Sequence, residues 1–190
     1  MIELKTLEAE IKNCTLCNGI LNPNPVFKVS PNAKILILGQ APGKKVDETG
    51  ILFNDASGDR LREWLGVSKY QFYDDNNFAI LPMAFCYPGR AKSGDKPPPK
   101  ICAVTWIQVL LQKMNKIELT IIIGKYALDY HFNNPKQNLT EFVKKNETFL
   151  PSKIILPHPS PRNNIWLSKN KWFEDDVISK IQKRISEIVI

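Results

Sequence analysis

The residue types best suited to chemistry in this 190-residue chain are four cysteines and one histidine held between prolines. Cys14 and Cys17 form a Cys-x-x-Cys pair, Cys86 lies at the end of an apolar run, and Cys102 follows sixteen positions later. Thiolates brought from three separate elements to one point would ligate an iron–sulfur cluster or a structural zinc ion. Thiolate softness permits either, and the spacing does not choose between them. Four unrelated cysteines, two of them buried as small hydrophobes, are the plain alternative. His158 stands in Leu156-Pro157-His158-Pro159-Ser160-Pro161-Arg162-Asn163. Flanking prolines leave it few backbone states, which suits a group that must meet developing charge at a fixed distance. His131, the other histidine, reads as a helix-end residue satisfied by a backbone carbonyl, next to Asn133 and Asn134. The third feature is Gly39-Gln40-Ala41-Pro42-Gly43, where the apolar run Ile35-Leu36-Ile37-Leu38 breaks into a glycine-rich loop. In open α/β sheets ligands bind beyond the carboxyl ends of strands. This loop is therefore expected to form one wall of an active site, and the His158 loop the opposite wall.

The elements that must position these residues alternate in type. An amphipathic helix over 3–13 leads into the cysteine pair, and a loop over 22–25 leads to a strand at 34–39. A polar stretch follows over 44–49. Ser57 is the expected N-cap of a helix whose apolar face is Leu61, Trp64 and Leu65, and Gly66 stops it. A second strand is expected over 78–83, a mobile loop over 89–99, a helix over 100–114 and a strand over 119–123 ending at Gly124. A helix through Tyr126 follows, then a short one capped by Thr140, a strand at 154–156 and a C-terminal helix over 172–189. Strands alternating with helices predict a parallel sheet with helices on both faces.

The length fits one domain, residues 1–190, with a core that needs no staples. No apolar run is long enough to cross a bilayer, and Glu3, Glu8 and Glu10 stand where a signal peptide requires apolar residues, so a cytoplasmic protein is expected. Structural disulfides are rare in that compartment, which turns the cysteines towards metal. A net charge of +7 and a pI near 9.2 suit a polyanionic partner.

Taken together, Gly39-Gln40-Ala41-Pro42-Gly43, Phe53 ten residues on, and His158-Pro159-Ser160-Pro161 resemble the motifs of the uracil-DNA glycosylase superfamily. Cys14, Cys17, Cys86 and Cys102 look like the ligand set of its family-4, iron–sulfur-containing branch, and Asp47, Gly50, Gly58, Leu61 and Leu65 match further positions. The resemblance covers the chain from about Cys14 to Arg162, in order. It implies an α/β/α sandwich around a four-stranded parallel sheet, a 4Fe–4S cluster rather than zinc, and a monomer acting on DNA that contains a damaged base. The implied reaction is hydrolysis of the N-glycosidic bond after the base is flipped from the stack. In that scheme the base stacks on Phe53 and the 40–43 backbone, Ala41 included, holds base or water. His158 donates to the base oxygen, Ser160 holds a phosphate, and Arg162 probes the minor groove.

The sequence also departs from the pattern. Gln40 stands where the branch carries a Glu that assists the attacking water, and Ala41 follows where another branch has Asp. Asp47 is then the nearest matched carboxylate for orienting water. Pro82 stands where the branch places an Asn that reads the uracil edge, and Asn54 is the substitute amide that the sequence offers. Three functions follow: a glycosylase acting on uracil or another deaminated base, a nucleic-acid-binding protein of the same fold with weak catalysis or none, and, on the cysteines alone, an iron–sulfur redox or sensing protein.

Overall fold

The computed structural model describes residues 3–189. Four short strands, β1 (Ile35–Gly39), β2 (Phe78–Pro82), β3 (Leu119–Ile123) and β4 (Lys153–Leu156), form one parallel sheet in the order β2-β1-β3-β4. Nearly every strand residue is buried, as expected when a parallel sheet is covered on both faces and its strands read as continuous apolar runs. Register pairs Ile35 with both Phe78 and Leu119, which brings the carboxyl ends of β1, β2 and β3 level with one another. Since β1 has β2 on one side and β3 on the other, the connections after it leave in opposite directions and open a crevice at those ends.

The helices packed around the sheet are α1 (Leu4–Lys12), α2 (Lys44–Thr49), α3 (Ala56–Leu65), α4 (Lys69–Tyr73), α5 (Lys100–Leu111), α6 (Gly124–His131), α7 (Leu139–Lys144), α8 (Asn146–Phe149), α9 (Asn164–Lys169) and α10 (Ile178–Ser186). Several local expectations are corrected. The polar stretch after the glycine loop is helical as α2, its one buried residue being Val46. α3 is capped by Asp55, whose side chain accepts from Gly58 N–H at 3.0 Å, so Ser57 lies inside the first turn. Gly66 ends that helix in the left-handed region, as its type predicts. α4 is specified by a capping box, Ser68 with Gln71, that the hydrophobic pattern does not reveal. α7 starts from Asn138 with Glu141 as its box partner, while Thr140 accepts from Trp166 Nε1 at 2.9 Å. The C-terminal helix opens with a π-helical stretch over Phe173–Val177 before α10.

Residues 89–96 fold back on themselves. Lys96 N–H donates to Gly89 C=O at 2.8 Å, Ala91 N–H to Gly94 C=O at 2.9 Å, and the backbones of Arg90 and Asp95 pair as an isolated antiparallel β-bridge. His131 departs from its expected state too, because its Nε2 is buried with no hydrogen-bond partner among the described residues.

Candidate functional site

A cleft of about 570 Å³ opens at the carboxyl ends of the strands. Its walls are the Gly39–Gly43 loop and the His158–Asn163 loop, as the sequence suggested, with Leu52, Ile80 and Pro82 supplying apolar surface and Phe53 between the walls. Met83 N–H donates to Gly39 C=O at 2.9 Å and Ala84 N–H to Gln40 C=O at 3.2 Å, tying the first loop to the chain after β2.

Phe53 sits on a backbone built for it. Its φ is +54°, a left-handed conformation that costs a bulky residue about 1–3 kcal/mol. Arg62, only 8% exposed, holds this shape by donating from Nη1 to Phe53 C=O at 3.2 Å, while its Nη2 pairs with Asp59 at 2.6 Å. The guanidinium also lies 5.4 Å from the centre of the Phe72 ring, and Phe72 meets Phe53 edge to face at 6.0 Å. Tyr73 hydroxyl donates to Leu52 C=O at 2.7 Å. Gly58 completes the arrangement: a Cβ there would stand 1.7 Å from Phe53 O, so only glycine allows the chain to cross so close.

The His158 loop is tied down just as firmly. Ser160 N–H donates to His158 Nδ1 at 3.2 Å, and Asn163 Nδ2 donates to His158 C=O at 2.7 Å. Arg60, from α3, donates to Pro159 C=O and Ser160 C=O, both at 3.3 Å. Ser160 Oγ accepts from Arg162 N–H at 3.2 Å and caps the next turn. Gly124, at the end of β3, lies against the ring, since a Cβ there would be 3.8 Å from His158 Cβ. Burial pushes the His158 pKa below its ordinary value, partly offset by Asp55 and then Asp95. A neutral ring whose Nδ1 accepts must carry its proton on Nε2, so His158 is a hydrogen-bond donor.

The sequence-derived residues divide. Gln40, Ala41, Phe53, His158, Ser160 and Arg162 all line the cleft. Asn54 and Asp47 do not. Asn24 Nδ2 donates to both Asp47 Oδ1, at 3.0 Å, and Asp47 C=O, at 2.9 Å, so that carboxylate is held against the loop that follows the cysteine pair. The carboxylates on the cleft among the described residues are instead Asp55, which the sequence places near Asp47 without giving it a role, and Asp95, which the sequence does not single out. Aspartate three residues before a glycine, at the head of a helical pattern, was the available signal for Asp55. The exposed Lys44 and Lys45 and the Arg162 guanidinium, which abuts Gly94, give the rim its positive charge.

The four cysteines, all free, line a second and apolar hollow together with Ile11, Pro23, Pro25, Pro99 and Trp106. Burial raises the pKa values of Cys17, Cys86 and Cys102, and the neighbouring thiols raise them further; Cys102 is pushed up to about 12. Thiolates share such a hollow only with a cationic centre to offset them. Phe85 N–H already donates to Cys102 Sγ at 3.3 Å, whereas the Trp106 indole N–H is buried with no partner among the described residues. Four convergent thiols beside an orphaned donor fit a sulfur-rich guest. No group of three or more His, Cys, Asp or Glu among the described residues is close enough to hold a single metal ion.

The sequence profile of the Uracil DNA glycosylase superfamily matches residues 27–182, which span both walls of the cleft. A type-4 uracil-DNA glycosylase from Thermotoga maritima is 25% identical over 165 residues, covering 83% of this chain and 81% of that relative.

Proposed function

The chain belongs to the uracil-DNA glycosylase superfamily, and on that premise we propose that it is a DNA glycosylase removing uracil or another deaminated base flipped into the cleft. The observation that carries the reading is His158: a neutral imidazole with Nδ1 occupied by Ser160 N–H, on a wall of the cleft that Phe53 also lines. The flipped base stacks on Phe53. As the C1′–N bond breaks, its electron pair moves into the base, and the His158 Nε2–H stabilises the oxygen where the charge collects. A donor fixed in a water-poor site typically contributes about a hundredfold or more in rate. Gln40 and the backbone of the 40–43 loop contact the base. Ser160 and Arg162 hold the backbone of the DNA, helped by Lys44 and Lys45 at the rim.

Cys14, Cys17, Cys86 and Cys102 would hold a 4Fe–4S cluster, which when bound joins the N-terminal segment, the chain after β2 and α5 through iron–thiolate bonds. What supports a cluster is that four free thiols line one apolar hollow, with the unpaired Trp106 N–H beside them. Among the described residues no helix is long and apolar enough to cross a membrane. A cytoplasmic monomer that scans DNA suits the reduced thiols and the positive net charge.

The test is a panel of single- and double-stranded oligonucleotides bearing uracil, hypoxanthine, xanthine or normal bases, read by strand scission in alkali. Excision of at least one deaminated base is expected, reduced about a hundredfold or more in His158→Ala with DNA affinity retained. Binding without scission across the panel would favour the second reading, a DNA-binding protein of this fold. Pro82 on the cleft wall motivates that alternative, since it offers no side-chain hydrogen bond to read a base edge.

A further inference from the structure

We propose that Asp55 is the catalytic carboxylate of the cleft, holding the water that attacks C1′ of the flipped nucleotide; this rests on the glycosylase reading above. The first loop offers an amide and a methyl group, Gln40 and Ala41, and neither accepts a proton from water. Asp47 is bound by Asn24 away from the cleft. Two carboxylates remain on the cleft wall, Asp55 and Asp95.

They are not equivalent. Asp95 is exposed on the 89–96 turn, where its Oδ1 accepts from the Tyr87 hydroxyl at 3.3 Å. Asp55 is half-buried and starts α3, with Oδ1 fixed by Gly58 N–H at 3.0 Å and Oδ2 free of any protein hydrogen bond among the described residues. It stands two residues after Phe53, so the Arg62 and Gly58 contacts that set the stacking ring also set this carboxylate. Of the two carboxylates whose charge reaches His158, Asp55 acts the more strongly. The cleft therefore presents a hydrogen-bond donor on one wall and an anchored carboxylate at the head of α3 whose charge reaches that donor.

That pairing matches the charges of glycosidic hydrolysis. The C1′–N bond breaks with its electron pair leaving on the base, towards His158, and positive charge grows on the sugar, where Asp55 stabilises it. The water oxygen then forms its bond to C1′, and its proton passes to Asp55 and on to solvent. The base anion takes a proton from solvent. The products are free base and an abasic deoxyribose with a hydroxyl at C1′.

Asp55→Asn keeps a side chain that caps α3 well and removes the charge. Single-turnover excision should fall about a hundredfold, within the range of general-base removal, while DNA affinity and melting temperature stay at the values of the unaltered protein. Asp55→Gly, which also tolerates the cap position, should regain rate when formate is added, a response that a merely structural role would not give. Excision by Asp55→Asn within about threefold of the unaltered protein, or Asp55→Gly indifferent to formate, overturns the proposal while leaving the glycosylase reading intact. Loss of rate with formate rescue in Asp95→Gly instead would move the role to the other wall and overturn the assignment to Asp55. If the unaltered protein excises nothing from the panel, the glycosylase reading fails and this proposal fails with it.

Discussion

The cleft and the cysteine hollow are built on opposite principles. The residues that hold the cleft's two walls in place are tied down by protein contacts. His158 is fixed by Ser160 and Asn163, the backbone behind it by Arg60, and Phe53 by Arg62. The hollow is the reverse, with four free thiols and an indole N–H left unpaired in an apolar lining. A buried donor without an acceptor costs about 1–3 kcal/mol, so the protein alone does not complete the hollow. The difference teaches where each site draws its order: the cleft from protein contacts made on folding, the hollow, on the reading proposed above, from the cluster it would hold.

The sharpest way to break this contrast is to remove a thiol. Cys102→Ser should lose the bound metal and any visible absorption, and should destabilise the chain by about 3 kcal/mol, roughly 10 °C in melting temperature. Iron analysis, an absorption spectrum and a melting curve check it, and an unchanged melting temperature would mean that the hollow is complete without a guest. Arg60→Ala addresses the cleft. It removes two charge-assisted hydrogen bonds from the His158 loop, so excision should drop about tenfold through loss of positioning while the melting temperature stays nearly constant. A drop in stability matching that of the thiol variant would erase the distinction.

The smallest effect expected is in pH. His158 and His131 both have folded-state pKa values lowered by burial, so the unfolded chain binds their protons more readily. Stability from this source is complete above about pH 6.5, the ordinary histidine value, and declines as pH falls through the lowered folded values. Melting curves between pH 8 and pH 5 should show that decline, made shallower by His158→Ala. A melting temperature that rises on acidification contradicts it.

The strands were legible because a doubly covered parallel sheet leaves a continuous apolar run, and both loop walls followed from the residues that end those runs. Side-chain direction was not legible. Arg60 and Arg62 count in a sequence as positive surface, yet Arg62 is buried under Phe53 and Arg60 clamps the His158 loop. Asp47 shares a segment with the first loop, but α2 turns it towards Asn24, and a helix can turn a residue away within one turn. Ser57 and Asp55 are both good cap residues two positions apart, and only the backbone chooses. Cys14, Cys17, Cys86 and Cys102 line one hollow, a meeting that their spacing alone did not decide.

The contact between Gly58 and Phe53 has a consequence for anyone who would reshape the cleft. The carbonyl of Phe53 occupies the space that a side chain at position 58 would need, so position 58 stays glycine whatever side chain stands at 53. A library that diversifies Phe53 while leaving Gly58 in place explores ring size and stacking on an intact frame. One that mutates Gly58 spends most of its members on misfolded floors. Ile80 and Pro82, on the cleft wall but in β2, where the sheet fixes the backbone independently, are the positions at which the lining can be changed with least disturbance to that frame.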